Sequence, residues 1–401
     1  MENLPVYENA LSLLRKVSTP EGFLAAPLLE DNYCRIWTRD AVVCGLAALS
    51  SGDEQLIKTF ERSLDTIWQN QHNTGFIPSN VDPVNNAASF GQSVGRVDTA
   101  SWAIIGLCAF ALSTGKAAIA DRYREKAEKA FRLLEAWEFN GRDLIYVPQS
   151  GDWADEYFQH GYLLFDNLLR LWALELASRV YHEGYAGKAL TVRKVLENNF
   201  FYRSDQQHWY SGSLLRQKEA APRNFWWMGF NPALVYDQFD LQANALALLL
   251  DLGNAAQNAL LFNYIRKLLE GEQKMLPSFS PVITKANWEM HELENNYAFR
   301  FRNQPYEFHN GGLWPVWNGW MVMALQMHGE NELARQLLNN IEQTVSKDDV
   351  ELNECYHGHT NQSCGVKACA WSAAGLILAE KGVALFRDIK KKRLNPINLI
   401  V

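Results

Sequence analysis

The chain has 401 residues, of which 48% are hydrophobic and 21% are charged, and its formal net charge is −7. This composition is typical of a globular protein with a large buried core, and the acidic balance disfavours nucleic acid as a partner. Neither a basic leader followed by an apolar core nor an uncharged apolar window of about 18 residues occurs, so we expect a cytoplasmic protein with no membrane partner.

Apolar residues recur at helical spacing in a dozen segments, with little alternation that would favour strands. Segments such as DTASWAIIGLCAFALSTG are apolar nearly all round and should be buried, whereas segments such as DEQLIKTFERSLDTIWQNQ are amphipathic and should have one face in water. The predicted helices span residues 5–17, 40–51, 55–70, 98–114, 117–137, 161–183, 185–198, 240–252, 255–270, 313–328, 330–344 and 366–382.

The connections alternate in length. Each apolar helix passes to the next amphipathic helix through a short turn such as Ser51-Gly52 or Thr114-Gly115, whereas the return runs through roughly 20 to 40 residues. This pattern predicts an all-α fold, a single (α/α)6 toroid over residues 1–401 with six inner and six outer helices. The long loops should lie at the N-terminal ends of the inner helices, and a basic tail should begin at about residue 386. An irregular helical array or a solenoid would instead require a fixed repeat and short loops.

The segments that precede the predicted inner helices should share one concave face. In chain order they read IWTRD, GRVDTASW, GDWADEYFQHGY, VYDQFDLQAN, YEFHNGGLWPVW and NECYHGHTNQSCG, and each combines an aromatic ring with a carboxylate or an imidazole. An isolated Asp at a helix start, such as Asp40, Asp98 or Asp240, is more often a cap than a catalytic group. Six such segments on one face favour a binding cavity.

Aromatic residues make up 12% of the chain, and many lie in these polar segments. Aromatic faces suit the apolar faces of sugar rings, and amides and carboxylates suit sugar hydroxyls. Cleavage of a glycosidic bond requires a carboxylic acid to protonate the leaving oxygen and a carboxylate on the other side of the sugar. The candidates are Asp98, Asp152, Asp155, Glu156, Glu307 and Glu354, and their residue types alone do not choose among them.

Six motifs resemble those of the alkaline/neutral invertases and, more loosely, those of the glucosidase domains of glycogen-debranching enzymes, in the same order over residues 36–375. WTRDAVVCGLAAL is similar to an Arg-Asp segment, GRVDTASWAII to Val-Asp-Ser-x-x-Trp-Trp, and GDWADEYFQHGY to Asp-Trp-Met-Asp followed by Gly-Tyr. FDLQANALALL is similar to aromatic-x-Leu-Asp-x-Asn. EFHNGGLWPV resembles Tyr-His-Asn-Gly-Gly-x-Trp-Pro-Val, and NECYHGHTNQSCGVKACAWSAAG resembles a Glu-Tyr-Tyr-Asp run.

This resemblance implies an inverting glycoside hydrolase. It implies Asp98 as the general acid and Glu354 as the general base that activates water, and we retain Asp155 as the reserve acid. The positions expected to contact the sugar are Trp37, Arg39, Asp40, Trp102, Asp152, Trp153, Tyr157, Gln242, Asn244, Tyr306, His309, Asn310, Trp314 and His357. Cys355-Tyr356-His357 replaces Tyr-Asp after Glu354, and Gln242 replaces an Asp. The substrate is therefore left open among sucrose, another α-glucoside and a small oligosaccharide.

Two other functions remain open. A sugar epimerase of the N-acylglucosamine 2-epimerase type uses the same toroid with paired histidines, and a sugar-binding protein without catalysis would need no acid and base. We expect no cofactor and no metal, because His357-x-His359 beside Cys355 and Cys364 lacks a second spaced pair of ligands. The six cysteines should be buried thiols rather than disulfides. Self-association into a homo-oligomer is left open.

Overall fold

The computed structural model describes residues 6–29, 32–91, 94–201, 210, 223–271, 274–348 and 351–394. Its helices, in chain order, are α1 (Val6–Lys16), α2 (Thr38–Ser51), α3 (Glu54–Gln69), α4 (Asp98–Thr114), α5 (Ala117–Arg122), α6 (Arg124–Ala136), α7 (Leu164–Val180), α8 (Gly184–Asn199), α9 (Leu241–Leu249), α10 (Ala255–Leu269), α11 (Glu289–Glu294), α12 (Pro315–Met327), α13 (Asn331–Val345) and α14 (Ala370–Lys391). A 3₁₀ turn, Ser346–Asp348, follows α13.

Six of these helices form a closed inner ring. Going round the ring, α2 packs on α4, α4 on α7, α7 on α9, α9 on α12, α12 on α14 and α14 back on α2. The ring helices are buried over most of their length, and every residue of α4 from Asp98 to Leu112 is buried. The exception is the last part of α14, where charged residues such as Glu380 and Lys381 are exposed. The predicted toroid of buried inner helices is therefore confirmed.

The remaining long helices lie outside the ring. Helix α3 packs on α2, α8 on α7, and α13 on α12, each joined to its partner by a short turn. Glycines with left-handed backbone, Gly52 and Gly115, end α2 and α4, as the short-turn pattern predicts. Helix α1, near the N-terminus, packs on α14, near the C-terminus. The outer partner of the last inner helix is therefore the first helix of the chain.

The helix predicted over residues 161–183 begins only at Leu164 and ends at Val180, and two other predicted spans need larger corrections. The predicted helix 117–137 is divided into α5 and α6 at Tyr123, whose φ of −106° and ψ of 12° lie outside the helical region. The last helix begins at Ala370 and continues to Lys391, beyond its predicted end at residue 382. Residues 386–391, predicted as the start of a tail, are therefore helical, and Phe386 and Ile389 are buried. The part of the predicted tail from residue 395 onward lies outside the described residues.

Short strands occur in the long loops before the inner helices. They are β1 (Ile36–Trp37), β2 (Asn80–Val81), β3 (Ala88–Ser89), β4 (Tyr162–Leu163), β5 (Trp227–Phe230), β6 (Val235–Asp240), β7 (Phe279–Ser280), β8 (Cys355–Tyr356) and β9 (Ser363–Cys364). They pair antiparallel in the orders β1-β2-β3, β4-β5-β6-β7 and β8-β9. These small sheets tie neighbouring loops together at the N-terminal end of the ring.

Candidate active site

A cavity of about 170 Å³ opens at the N-terminal end of the inner ring. Aromatic side chains and carboxylates from distant loops line it together. The predicted site residues on its surface are Trp37, Arg39, Asp40, Trp153, Asp155, Glu156, His309, Trp314 and Glu354. The loops before five of the six inner helices therefore form the cavity wall, whereas the predicted segment 235–244, before α9, contributes no lining residue.

Glu354 lies just before β8 and is 3% exposed. The Tyr33 hydroxyl donates a hydrogen bond of 2.7 Å to its Oε1, and the Val366 backbone N–H donates one of 3.2 Å to its Oε2. Burial raises the pKa of Glu354, whereas the nearby Arg302 guanidinium and the Tyr33 hydrogen bond oppose that rise. Each carboxylate oxygen has one fixed donor and keeps a second lone pair to accept a proton from a water in the cavity.

Arg302 is a cavity residue that sequence reasoning missed. Its Nη2 lies 3.0 Å from Oε1 of Glu156, and its guanidinium lies 3.9 Å from the centre of the Phe308 ring. This ion pair and ring contact fix a positive charge beside Glu354. Arg302 belongs to a long loop without periodicity, and its only sequence signal is a cluster of arginines and aromatics in YAFRFRNQ.

Asp98, the acid implied by the resemblance, does not line the cavity. Its side chain has no exposed surface, and its Oδ2 accepts a 2.8 Å hydrogen bond from Nη1 of Arg39, which does line the cavity. Its Oδ1 has no hydrogen-bond partner among the described residues. Arg39, whose guanidinium lies 5.3 Å from the ring centre of Trp371, thus contacts both Asp98 and the cavity, whereas Asp98 itself does not reach the cavity surface.

Asp155, the reserve acid, does line the cavity, and its side chain is 28% exposed. It forms an ion pair with Arg96, which also donates a hydrogen bond to the backbone carbonyl of Ser150. Of Asp98 and Asp155, Asp155 is therefore the one that lines the cavity.

Two further predicted carboxylates are protonated more readily than usual. Asp40, in the first turn of α2, lines the cavity, and burial raises its pKa to about 7 although Arg39 opposes the rise. Asp152 is buried behind the cavity wall, where Nε2 of Gln159 donates a 2.6 Å hydrogen bond to it. Burial raises the pKa of Asp152 to about 7 as well, and the charge of Asp98 adds to that effect.

Aromatic rings form much of the cavity wall. The rings of His309 and Trp314 are stacked with their centres 5.3 Å apart, and Trp153 meets His309 edge-on at 4.9 Å. Burial, together with nearby arginines, lowers the pKa of His309, so its imidazole is neutral at pH 7. Trp371 also lines the cavity and was not among the predicted contacts.

Besides Asp152, seven predicted contacts do not line this cavity, and three of the seven stabilise the surrounding framework. Trp102 packs in the ring core with Trp172 and Trp320. The Asn244 side chain binds the backbone N–H and carbonyl of Trp226, and the Asn310 side chain does the same for Ile283. These side-chain amides form hydrogen bonds with backbone groups that have no partner in a helix or strand. A sequence motif alone does not distinguish this structural role from sugar binding.

The other four also lie away from the cavity surface. Tyr157 stacks on Phe279, and Gln242 is buried with no hydrogen-bond partner among the described residues. Tyr306 packs against the imidazole of His359. His357 Nδ1 accepts hydrogen bonds from the backbone N–H groups of residues 359 and 360, so this histidine orders its loop.

The thiols and the possible metal ligands are dispersed through the described part of the chain. In the described part of the chain, no three His, Cys, Asp or Glu side chains are grouped to hold a metal ion. All six cysteines are free; Cys34 and Cys364 are partly exposed, contrary to the expected burial, and the others are buried. No helix in the described ranges is long and apolar enough to span a bilayer.

The family model described as alkaline and neutral invertase matches residues 228–384, which is less than half of the chain. A probable alkaline/neutral invertase of Arabidopsis thaliana is 25% identical over 411 aligned residues, covering 87% of this chain and 75% of the relative. Cytosolic invertase 1 of Oryza sativa is 22% identical, covering 87% of this chain and 71% of the relative. The resemblance to the invertases is confirmed.

Solved structures agree on the fold. A mannosylglycerate hydrolase of Thermus thermophilus in complex with glucose superposes with a TM-score of 0.66 at 13% identity, covering 96% of this chain and 100% of that chain. A rhamnosidase of Klebsiella oxytoca superposes with a TM-score of 0.61 at 13% identity, covering 94% of this chain and 63% of that chain. At this identity the structural likeness supports the (α/α)6 glycosidase fold, and together with the invertase resemblance it supports a glycoside hydrolase.

Proposed function

We propose that this protein is an inverting glycoside hydrolase that cleaves a disaccharide or small oligosaccharide, such as an α-glucoside or a sucrose-like compound. One observation carries the proposal: Glu354 is held by Tyr33 and Val366 at the wall of an aromatic cavity that also contains Asp155. Tryptophan rings would stack on the sugar, and buried carboxylates would bind its hydroxyls. The cytosol is the proposed location, in keeping with the name of the rice relative.

In the proposed reaction Glu354 is the general base. Its carboxylate removes a proton from a water, the water oxygen bonds to the anomeric carbon, and the glycosidic bond breaks on the opposite face. The general acid gives its proton to the leaving oxygen, so the product alcohol leaves neutral. Arg302 supports this role because its charge favours the ionised form of Glu354.

The base is tested with Glu354→Gln, which keeps the size of the side chain and removes its ability to accept the proton. We expect turnover to fall by about a hundredfold or more with folding intact. Azide added to Glu354→Ala should restore cleavage and yield a glycosyl azide of inverted configuration. Near-normal activity of Glu354→Gln would exclude this role. Proton NMR of the first-formed anomer tests inversion, and a retained anomer would contradict a water-activating Glu354.

Two carboxylates compete for the acid. Asp98 is implied by the resemblance, and it requires Arg39 to move, whereas Asp155 already lines the cavity. Asp98→Asn and Asp155→Asn should be compared on the natural glycoside and on the matching glycosyl fluoride, whose leaving group needs no proton. The true acid is the residue whose loss abolishes cleavage of the glycoside but largely preserves cleavage of the fluoride. A variant that loses both activities equally has a binding or structural role.

The charges of the cavity favour an uncharged substrate. Arg39, Arg96 and Arg302 line it, and each forms an ion pair with a carboxylate: Asp98, Asp155 and Glu156 respectively. None of these three guanidinium groups is left to neutralise an anionic aglycone. A screen should therefore show release of reducing sugar from sucrose or neutral α-glucosides, with much slower release from mannosylglycerate. The opposite preference would refute this charge argument.

The epimerase alternative receives less support from the geometry. It requires two histidines on opposite sides of a sugar, and His309 is the one histidine among the described lining residues of the cavity. His357 is engaged with its own loop backbone. Incubation of free sugars with the protein, followed by analysis for epimers, tests this function directly.

A further inference from the structure

Two thiols lie directly behind the candidate base. Cys355 and Cys364 are opposite each other on β8 and β9, and their Sγ atoms are 2.9 Å apart. Opposite residues of an antiparallel pair have Cα atoms about 4.5–5.5 Å apart, which falls within the range of roughly 4.4–6.8 Å found for disulfides. The two strands thus already hold the sulfurs at positions from which a bond can form.

The two thiols differ in accessibility. Cys364 is partly exposed, whereas Cys355 is buried. Burial raises the pKa of the Cys355 thiol, and the neighbouring Cys364 and Glu354 add to the rise. Because the thiolate is the nucleophile, Cys364 should react first with a disulfide reagent from solution, and Cys355 should react second.

We propose that Cys355 and Cys364 form a reversible dithiol–disulfide site that controls the position of Glu354. A small disulfide such as oxidised glutathione is the oxidant. The Cys364 thiolate attacks one of its sulfurs and releases one glutathione thiolate, which takes up a proton. Cys355, on losing its proton, then attacks Sγ of Cys364 in the mixed disulfide and releases the second glutathione. Two protein thiols are oxidised, and one small disulfide is reduced to two thiols.

The hairpin that carries the thiols also builds the environment of the carboxylate. The Glu354 backbone N–H donates a 2.8 Å hydrogen bond to the Val366 carbonyl, and the Val366 N–H donates to Oε2 of Glu354. Gly365, next to Cys364, lies so close that a Cβ there would be 2.5 Å from that oxygen. Formation of the disulfide shortens the distance between the two sulfurs to about 2.05 Å, and this displaces the hairpin residues that surround the Glu354 carboxylate. A displacement of about 1 Å at a catalytic group costs up to about a hundredfold in rate.

The covalent step is tested on the whole native chain and does not depend on any catalytic activity. The protein is equilibrated with mixtures of reduced and oxidised glutathione, the free thiols are trapped by alkylation, and the peptides are mapped by mass spectrometry. We expect a Cys355–Cys364 cross-link, with loss of two hydrogens, that disappears in excess reduced glutathione. The proposal is overturned if both thiols stay alkylatable at every ratio or if Cys364 stops at the mixed disulfide.

The control of Glu354 rests on the proposed hydrolase function and is tested separately. Oxidation should lower kcat by at least about tenfold, and dithiothreitol should restore it. Cys364→Ser, or Cys364→Ala if the first variant does not fold, should keep the basal activity and resist oxidation, whereas Cys34→Ser should respond like the unaltered protein. If the cross-link forms without any change in kcat, the proposal that the disulfide controls the position of Glu354 is overturned. If the reduced protein has no glycosidase activity, the proposed function fails while the covalent result still stands.

Discussion

Removal of one hydroxyl group tests the proposed base without touching its carboxylate. In Tyr33→Phe the ring remains, but the 2.7 Å hydrogen bond to Oε1 of Glu354 is lost. That bond favours the ionised carboxylate and holds the pKa of Glu354 below the value that burial alone would impose. Without it the ionised form loses a charge-assisted donor, and the pKa of Glu354 should rise further.

The size of the shift follows from the strength of such bonds. A hydrogen bond to a charged group contributes about 1.5–3 kcal/mol, and one pKa unit corresponds to about 1.36 kcal/mol, so the pKa of Glu354 should rise by about one to two units. A general base must be ionised, so activity is lost as the pH falls through its pKa. The acid limb of kcat/KM should therefore move to higher pH by about one to two units, with activity above that limb retained within a few-fold.

The assay is a pH profile of kcat/KM on the substrate found by screening. Tyr297→Phe is the matched control, because Tyr297 lines the cavity and is 49% exposed, and no bond to Glu354 is found for it. We expect its acid limb to coincide with that of the unaltered protein. An unmoved acid limb in Tyr33→Phe, or a fall of equal size at every pH, would refute the assignment of that limb to Glu354.

Two further predictions use matched pairs of variants. Asp166 is buried on α7 with neither carboxylate oxygen bonded among the described residues, and burial, with Asp152 and Asp98, raises its pKa. Because the pKa of Asp166 is higher in the folded state than in the unfolded state, the free energy of unfolding falls as the pH rises between these two pKa values. The fall is about 1.4 kcal/mol per pH unit. Denaturant melts of Asp166→Asn should therefore show a gain in stability over the unaltered protein, and this gain should grow with pH. Asp388→Asn on the surface should show no such trend, and an equal trend in both variants would contradict the prediction. Gly365→Ala should lower kcat by about tenfold or more, because the new Cβ displaces the Glu354 carboxylate. Gly115→Ala is the matched control, since Gly115 has a similar φ of 72° and nothing lies within 4 Å of a Cβ built there. This control variant should lose some stability and keep its activity. Equal kcat values for the two variants would show that the carboxylate tolerates displacement.

Much of the helical framework is readable from the sequence because burial on a helix repeats every 3.6 residues within a short stretch of chain. Inner and outer helices were distinguished by whether one face or the whole circumference is apolar. The two-residue strands were missed, because a period of two cannot be detected over two residues. The division at Tyr123 was also missed, since the apolar pattern continues across it.

Parts of the candidate site were readable for a different reason. Trp37, Arg39 and Asp40 adjoin the start of one inner helix, and Trp314 adjoins another, so the layout of the toroid brings them to one end. Tyr33 and Arg302 gave no such signal, because they lie in loops without periodicity. Their partners are Glu354, 321 residues away from Tyr33, and Glu156, 146 residues away from Arg302.

The sequence by itself determined the all-α character, the order of inner and outer helices and the end of the ring at which polar groups collect, because these follow from local periodicity and loop length. Only the tertiary structure decided which polar groups reach the cavity. Asp98 starts an inner helix as expected, yet it is bonded to Arg39 and does not itself line the cavity, while the side chains of Asn244 and Asn310 are hydrogen-bonded to backbone groups. A buried polar group takes whichever partner the folded chain presents, and contacts between distant segments leave no periodic trace in the sequence.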